Sequence, residues 1–223
     1  MGRSKLERFK VIAERQNVIE NGKALFTSLK GKWSEEFFGN NHDLILEIGC
    51  GKGDYTIGMA NLFPNKNFIG VDIKGSRLWK GSTIAEENGL TNAAFLRNFI
   101  EHLGENFAPG EVSEIWITFP DPRPKKGDVK KRLTSPRYLN LYESLVKPGG
   151  LIHFKTDNLE LFQYTLELLQ ERNPEGFIYT YDLYASDLQH HTLNIQTTYE
   201  KRFLAEGLPI KYLQYTNTGT TKN

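Results

Sequence analysis

The sequence predicts an α/β fold, a mostly parallel sheet of seven strands with helices on both faces, and three observations carry that expectation. From Asp43 onward, short apolar segments alternate with longer segments of helical periodicity, as expected for strands covered on both sides. The first apolar segment, Leu44–Ile48, runs straight into a glycine turn, GCGKG at 49–53, that opens a helix. Gly49, Asp72, Asn98 and Asp121 each fall at or just after the end of an apolar segment, where open α/β sheets bind ligands near the switch in strand order.

Each element has its own signal. The expected strands are 44–48, 67–72, 93–96, 115–119, 151–155, 177–183 and 210–215. A helix over 54–62 follows the glycine turn, and one over 75–88 follows the second strand. A helix over 136–146 stops at Lys147-Pro148-Gly149-Gly150. Phe162, Leu166 and Leu169 give 158–171 a buried helical face. An insertion over 186–206 carries a helix around Thr198–Ala205. Tyr179, Tyr181 and Tyr184 read as strand packing, with Tyr184 exposed. Residues 1–41 read as an N-terminal basic, amphipathic extension, with Phe9, Ile12, Val18, Ile19, Leu25, Phe26 and Phe37 among polar neighbours and Arg3, Lys5, Arg8 and Lys10 near the start. Residues 42–217 form one domain, and 218–223 a polar tail.

Composition narrows the function classes. A chain of 223 residues buries a core without disulfides, and Cys50, the only cysteine, rules out an internal one and points to a reducing, cytoplasmic setting. No apolar run approaches membrane-spanning length, which argues against a membrane partner. A net charge of +1 excludes a general polyanion binder, so any nucleic-acid affinity comes from local clustering. Six of the ten residues from Arg123 to Arg132 are Lys or Arg, opposed only by Asp128. That basic run follows Asp121, which Pro120 and Pro122 hold in a restricted backbone. His190 and His191 have no cysteine or carboxylate at ligand spacing, so no metal site is expected.

Glycines at 49, 51 and 53 do not fit the dinucleotide fingerprint, whose third glycine would fall at 54, where Asp54 stands. Glu47, two residues ahead of the first glycine, is badly placed for a pyrophosphate and well placed for a cationic ligand. Asp72 is placed to accept both hydroxyls of a ribose. The combination resembles the S-adenosylmethionine loop of class I methyltransferases. A nicotinamide-dependent oxidoreductase is disfavoured by the glycine spacing, and a non-catalytic RNA-binding subunit by the presence of both the cofactor acids and Asp121.

FPDPRPKK at 119–126 is similar to the F-P-D-P-W-P-K-K signature of the bacterial tRNA (guanine-N7)-methyltransferases, the TrmB family. KTD at 155–157 and TTYEKRF at 197–203 match that family's K-T-D and T-x-Y-E-x-x-F segments, so the resemblance spans about residues 43–215. It implies a Rossmann-like class I fold and methyl transfer from S-adenosyl-L-methionine to guanine N7 in tRNA, at position 46 of the variable loop, releasing S-adenosyl-L-homocysteine. Methylation of another RNA base is the alternative. The resemblance places Glu47, Gly49, Gly51, Gly53, Asp72, Asn98 and Asp121 at the cofactor, with Asp121 also the catalytic acid. It places Lys125, Asp157, Thr197, Thr198, Tyr199 and Glu200 at the substrate, and Arg123, Lys126, Lys130, Lys131 and Arg132 along the RNA. A monomer and a homodimer both stay open.

Guanine N7 carries a lone pair and no proton, so this reaction needs no general base. Asp121 is therefore expected to orient the base and stabilise the charge developing on it. The chain departs from the pattern at Arg123, where the family has Trp, and at 127–129, where GDV replaces a more basic stretch. A guanidinium plane can also stack on a base.

Overall fold

A computed structural model describes residues 4–219; Arg3 and the last four residues of the polar tail lie outside the described residues. The strands are β1 (Val18–Glu20), β2 (Leu44–Ile48), β3 (Asn67–Val71), β4 (Ala93–Arg97), β5 (Val112–Thr118), β6 (Val146–Thr156), β7 (Glu175–Thr180) and β8 (Lys211–Thr216). They form one sheet in the order β1-β4-β3-β2-β5-β6-β8-β7. All neighbours pair in parallel except β8, which runs antiparallel to both β6 and β7.

Among the described residues the sheet has eight strands where seven were expected. The additional strand, β1, pairs Val18 with Phe95 and Ile19 with Leu96 at the edge of the sheet. Val18 and Ile19 are almost wholly buried there. Three residues are too few to show alternation, which is why sequence periodicity did not mark them as a strand.

Two apolar layers cover the faces. Leu46, Ile48, Ile69, Leu96, Ile115, Ile117 and Phe154 face α6 (Pro136–Leu145) and α7 (Leu159–Arg172), meeting Leu139, Tyr142, Phe162 and Leu166. On the other face Ile45, Phe68, Phe95 and Trp116 meet α3 (Asp54–Leu62) and α4 (Gly75–Glu87) through Tyr55, Met59, Leu78 and Ala85. The N-terminal helix α1 (Lys5–Glu14) joins this second layer, its Phe9 and Ile12 lying where a Cβ on Gly75 would be, each 2.7 Å away. Successive strand residues thus reach opposite layers, which is why the strands read as continuous apolar runs.

The sheet order places the site. β2 lies between β3 and β5, so strand order reverses there. Register pairs Glu47 with Trp116 and Ile48 with Ile117, so the glycine turn after β2 and the FPDP turn after β5 leave the same edge side by side.

Candidate active site

At that edge a crevice of about 380 Å³ brings together Glu47, Gly49, Gly51, Asp121, Asp157 and the Thr197–Tyr199 segment that opens α8 (Thr198–Ala205). A larger hollow, about 580 Å³, lies at the opposite end of the strands around Glu143 and Arg172 and contains none of these groups. Gly53, Asp72 and Asn98 are not on its wall.

The glycine turn is built for close approach. Gly49, Gly51 and Gly53 have φ of +69°, +57° and +73°, a region that L side chains avoid. A Cβ on Gly53 would stand 2.5 Å from the Phe95 ring. Asp72 braces this turn: one carboxylate oxygen accepts the Gly51 amide at 3.0 Å and the other the Lys74 amide at 2.8 Å. Asn98 is also held internally, donating to Asn106 at 2.6 Å and accepting the Phe99 amide at 2.8 Å.

Glu47 is buried at the floor of the crevice. It accepts the Thr56 amide at 2.8 Å and the Thr56 and Thr118 hydroxyls at 2.6 and 2.9 Å. Burial outweighs these bonds and pushes its carboxyl up from 4.5 to about 7. The folded chain therefore keeps this proton to higher pH than the unfolded chain, and it loses stability as pH rises from about 4.5 through about 7. Glu47→Gln, whose Oε1 can accept from Thr56 while its amide donates to the Thr118 hydroxyl oxygen, is expected to stabilise the ligand-free protein by on the order of 2–3 kcal/mol at pH 8 and by much less at pH 5. Urea denaturation at the two pH values measures this, and equal effects at both would refute the buried charge as the cause.

Asp121 stands on the opposite wall and is largely exposed. Its turn is strained, with φ of +48° at Phe119 and +46° at Arg123. Arg123 holds the acid at both oxygens, through its Nε to Oδ2 at 3.3 Å and its amide to Oδ1 at 3.3 Å. Asp157 is half-buried, and burial raises its carboxyl above the ordinary value while Lys211 pulls the other way.

Asp54 takes a position that sequence reading noted only as a missing glycine. Its Oδ2 accepts both the backbone amide and the hydroxyl of Thr198, at 2.6 and 2.7 Å, clamping α8 to the start of α3. Thr197 and Glu200 form a capping box at the same end of α8. Tyr199 is exposed and lines the crevice, whereas Glu200 is fully buried beneath it.

The basic segment divides in two. Lys125, Lys126, Lys130 and Lys131 are exposed, with Lys131 pairing to Asp128 at 2.6 Å. Arg132, expected along the RNA, is buried instead. It donates to the Pro122 and Arg123 carbonyls at 3.1 and 3.3 Å, pairs with Glu160 at 2.6 Å and stacks on Tyr164. A guanidinium enclosed in this way braces the Asp121 turn and cannot present itself to a phosphate. The tyrosine expectation is also reversed, since Tyr179 and Tyr181 are exposed while Tyr184 is half-buried and donates to Glu200 at 2.8 Å.

The family described as "Putative methyltransferase" matches residues 41–213. A tRNA (guanine-N(7)-)-methyltransferase of Cytophaga hutchinsonii is 48% identical over 217 residues, covering 96% of this chain and 98% of that protein. One from Bacteroides thetaiotaomicron is 48% identical over 220 residues, covering 96% and 86%, and one from Listeria innocua 41% over 185 residues, covering 83% and 85%. The chain belongs to the tRNA (guanine-N7)-methyltransferase family. Among solved structures, the 16S rRNA methyltransferase KamB superposes with a TM-score of 0.62 at 18% identity, over 82% of this chain and 92% of that one, so it shares the class I fold.

Against this family's signature, the substitution at Arg123 sits in direct contact with Asp121, where a Trp has no cation to offer. Asp54 and Thr118 line the crevice, and motif reading singled out neither of them for it. Only the position of Asp54, at the first residue of α3 and in place of a glycine, gave a signal that could have found one of them.

Proposed function

We propose that this methyltransferase transfers a methyl group from S-adenosylmethionine to N7 of guanine in tRNA, at position 46 of the variable loop. One observation carries the reading: the glycine turn with Glu47, the acid Asp121 and the Thr197–Tyr199 wall meet in a single crevice. Its volume, about 380 Å³, lies within the usual range for small-molecule sites.

The residues present fit the cofactor. When bound, S-adenosylmethionine supplies an electrophilic methyl on a sulfonium. A positive ligand suits a floor formed by Glu47, because a nearby cation favours its ionised form. The glycine turn allows the backbone to approach the ligand, and Asp72 braces it through the Gly51 amide. A dinucleotide fits worse, since the Asp54 carboxylate already stands at the N-terminus of α3, where a pyrophosphate would lie.

On the substrate side, Asp121 and Asp157 offer acceptors to the guanine N1 and N2 hydrogens and favour the positive charge that the ring gains. Tyr199 gives an exposed ring at the mouth against which a base can stack. No proton leaves N7 in the transfer, so none of these carboxylates acts as a base. Labelled methyl transfer to an unmodified tRNA transcript, followed by mapping of the modified base, tests substrate, atom and position together. Label on another base or none at all would overturn the reading.

Lys125, Lys126, Lys130 and Lys131 face solvent beside the crevice and suit the RNA backbone. Changing Lys130 and Lys131 together to Ala is expected to flatten the slope of log K against log salt by about 1–2 while leaving S-adenosylhomocysteine affinity unchanged. Arg132→Ala is expected to leave that slope near the parent value and to lower the melting temperature. Equal slopes for the double-lysine variant and the parent would refute phosphate contact.

A further inference from the structure

Lys155 lies near the end of β6, and its side chain turns inward beneath the crevice to meet Glu200; neither side chain has exposed surface. Lys155 Nζ is 2.7 Å from Glu200 Oε1 and 2.9 Å from Oε2. Tyr184 donates to Oε1 at 2.8 Å, and the Thr197 amide donates to Oε2 at 3.3 Å. An ionised carboxylate offers about four lone-pair positions. These contacts fill them, so Glu200 has no acceptor left for a nucleotide and no surface that one could reach.

What the pair joins gives it a different role. The Lys155 carbonyl accepts the Phe119 amide at 2.9 Å, which pins the left-handed residue that leads into Pro120 and Asp121. The Phe119 ring lies 6.0 Å from Lys155 Nζ and 5.9 Å from the ring of Phe203 on α8. The main chain of Lys155 therefore holds the wall that carries Asp121, and its side chain holds the wall that carries Tyr199. A buried ion pair is a weak source of stability, because desolvation offsets much of the attraction. It does impose geometry, through charge-assisted bonds of defined length and direction.

We propose that Lys155 and Glu200 are positioning residues whose buried ion pair sets the gap between Asp121 and Tyr199, and with it the space in which the target base is presented. The proposal rests on the tRNA-methylation reading. It is tested with Glu200→Gln, Lys155→Met and the double variant, using the tRNA transcript as substrate at a temperature well below every melting point. Melting temperature and S-adenosylhomocysteine affinity are recorded alongside.

Glu200→Gln keeps the capping box but leaves Lys155 a buried charge without a counter-charge. It is expected to lower kcat/KM for tRNA about 10–100-fold, while cofactor-product affinity stays within about threefold. Adding Lys155→Met removes the unpaired charge and is expected to restore melting temperature but leave kcat/KM lowered, because the bonds that set the gap stay lost. If the double variant regains parental activity together with melting temperature, the unpaired charge and not the lost geometry caused the defect, and the proposal fails. It fails equally if the single variants melt earlier yet keep parental kinetics, since the pair would then serve stability alone. A parent chain that leaves tRNA unlabelled would bring down the reading of function and this proposal together, whereas those variant patterns overturn the pair alone.

Discussion

Asp121→Asn is expected to lower the rate of methyl transfer about 10²–10³-fold, with S-adenosylhomocysteine affinity changed by no more than a few-fold. Asn keeps the shape of Asp and its Oδ1, which accepts the Arg123 amide at 3.3 Å, so the turn retains its main-chain anchor. What is lost is the negative charge beside a guanine ring that becomes positive as the methyl arrives. Charge stabilisation in the transition state lowers kcat and kcat/KM together when it is removed, without a matching change in ground-state binding. Single-turnover transfer of labelled methyl to tRNA separates these quantities. Full turnover by Asp121→Asn would remove charge from the mechanism and leave Asp121 an orienting role only.

Gly53→Ala is the second large effect, and it falls on the fold as well as on the site. At a φ of +73° the added Cβ meets backbone strain of about 1–2 kcal/mol. It would also stand 2.5 Å from the Phe95 ring, which is fully buried and pressed on the same side by Gly81 of α4. Forcing that contact costs about 1–3 kcal/mol more, because the core cannot open locally. A loss of roughly 2–5 kcal/mol in urea denaturation is the expected result. Cofactor binding should weaken with it, because Gly53 closes the turn that the Asp72 carboxylate braces through the Gly51 amide. Gly22→Ala serves as the control: its φ of +94° carries backbone strain, but no neighbour among the described residues lies within 4 Å of the added Cβ. If both variants lost the same stability, close packing at Gly53 would be refuted as the source.

Most of the sheet was legible because its signals are local. β2 (Leu44–Ile48) and α3 (Asp54–Leu62) meet at a glycine turn that marks both boundaries, and α8 (Thr198–Ala205) begins at a capping box. Each of these depends on residues a few positions apart. β1 escaped notice because its three residues acquire meaning only when β4 lies beside them. Arg132 read as one more cation in a basic run, yet its partner Glu160 is 28 residues away. Charges in a sequence read as solvated, and only a distant counter-charge or carbonyl reverses that.

By itself the sequence determined the fold class, the place of the crevice at the strand ends and the kind of chemistry. The first two follow from periodicity and turn residues, and the third from the resemblance of the FPDPRPKK, KTD and TTYEKRF segments to the tRNA (guanine-N7)-methyltransferases. The tertiary structure alone decided which of the polar side chains around the crevice face solvent. Asp121, Lys130 and Tyr199 do face outward, whereas Arg132, Glu200 and Lys155 hold the walls from within. The physical reason is that burying a charge is tolerable only where packing brings its partner, and Lys155 meets Glu200 across 45 residues of chain.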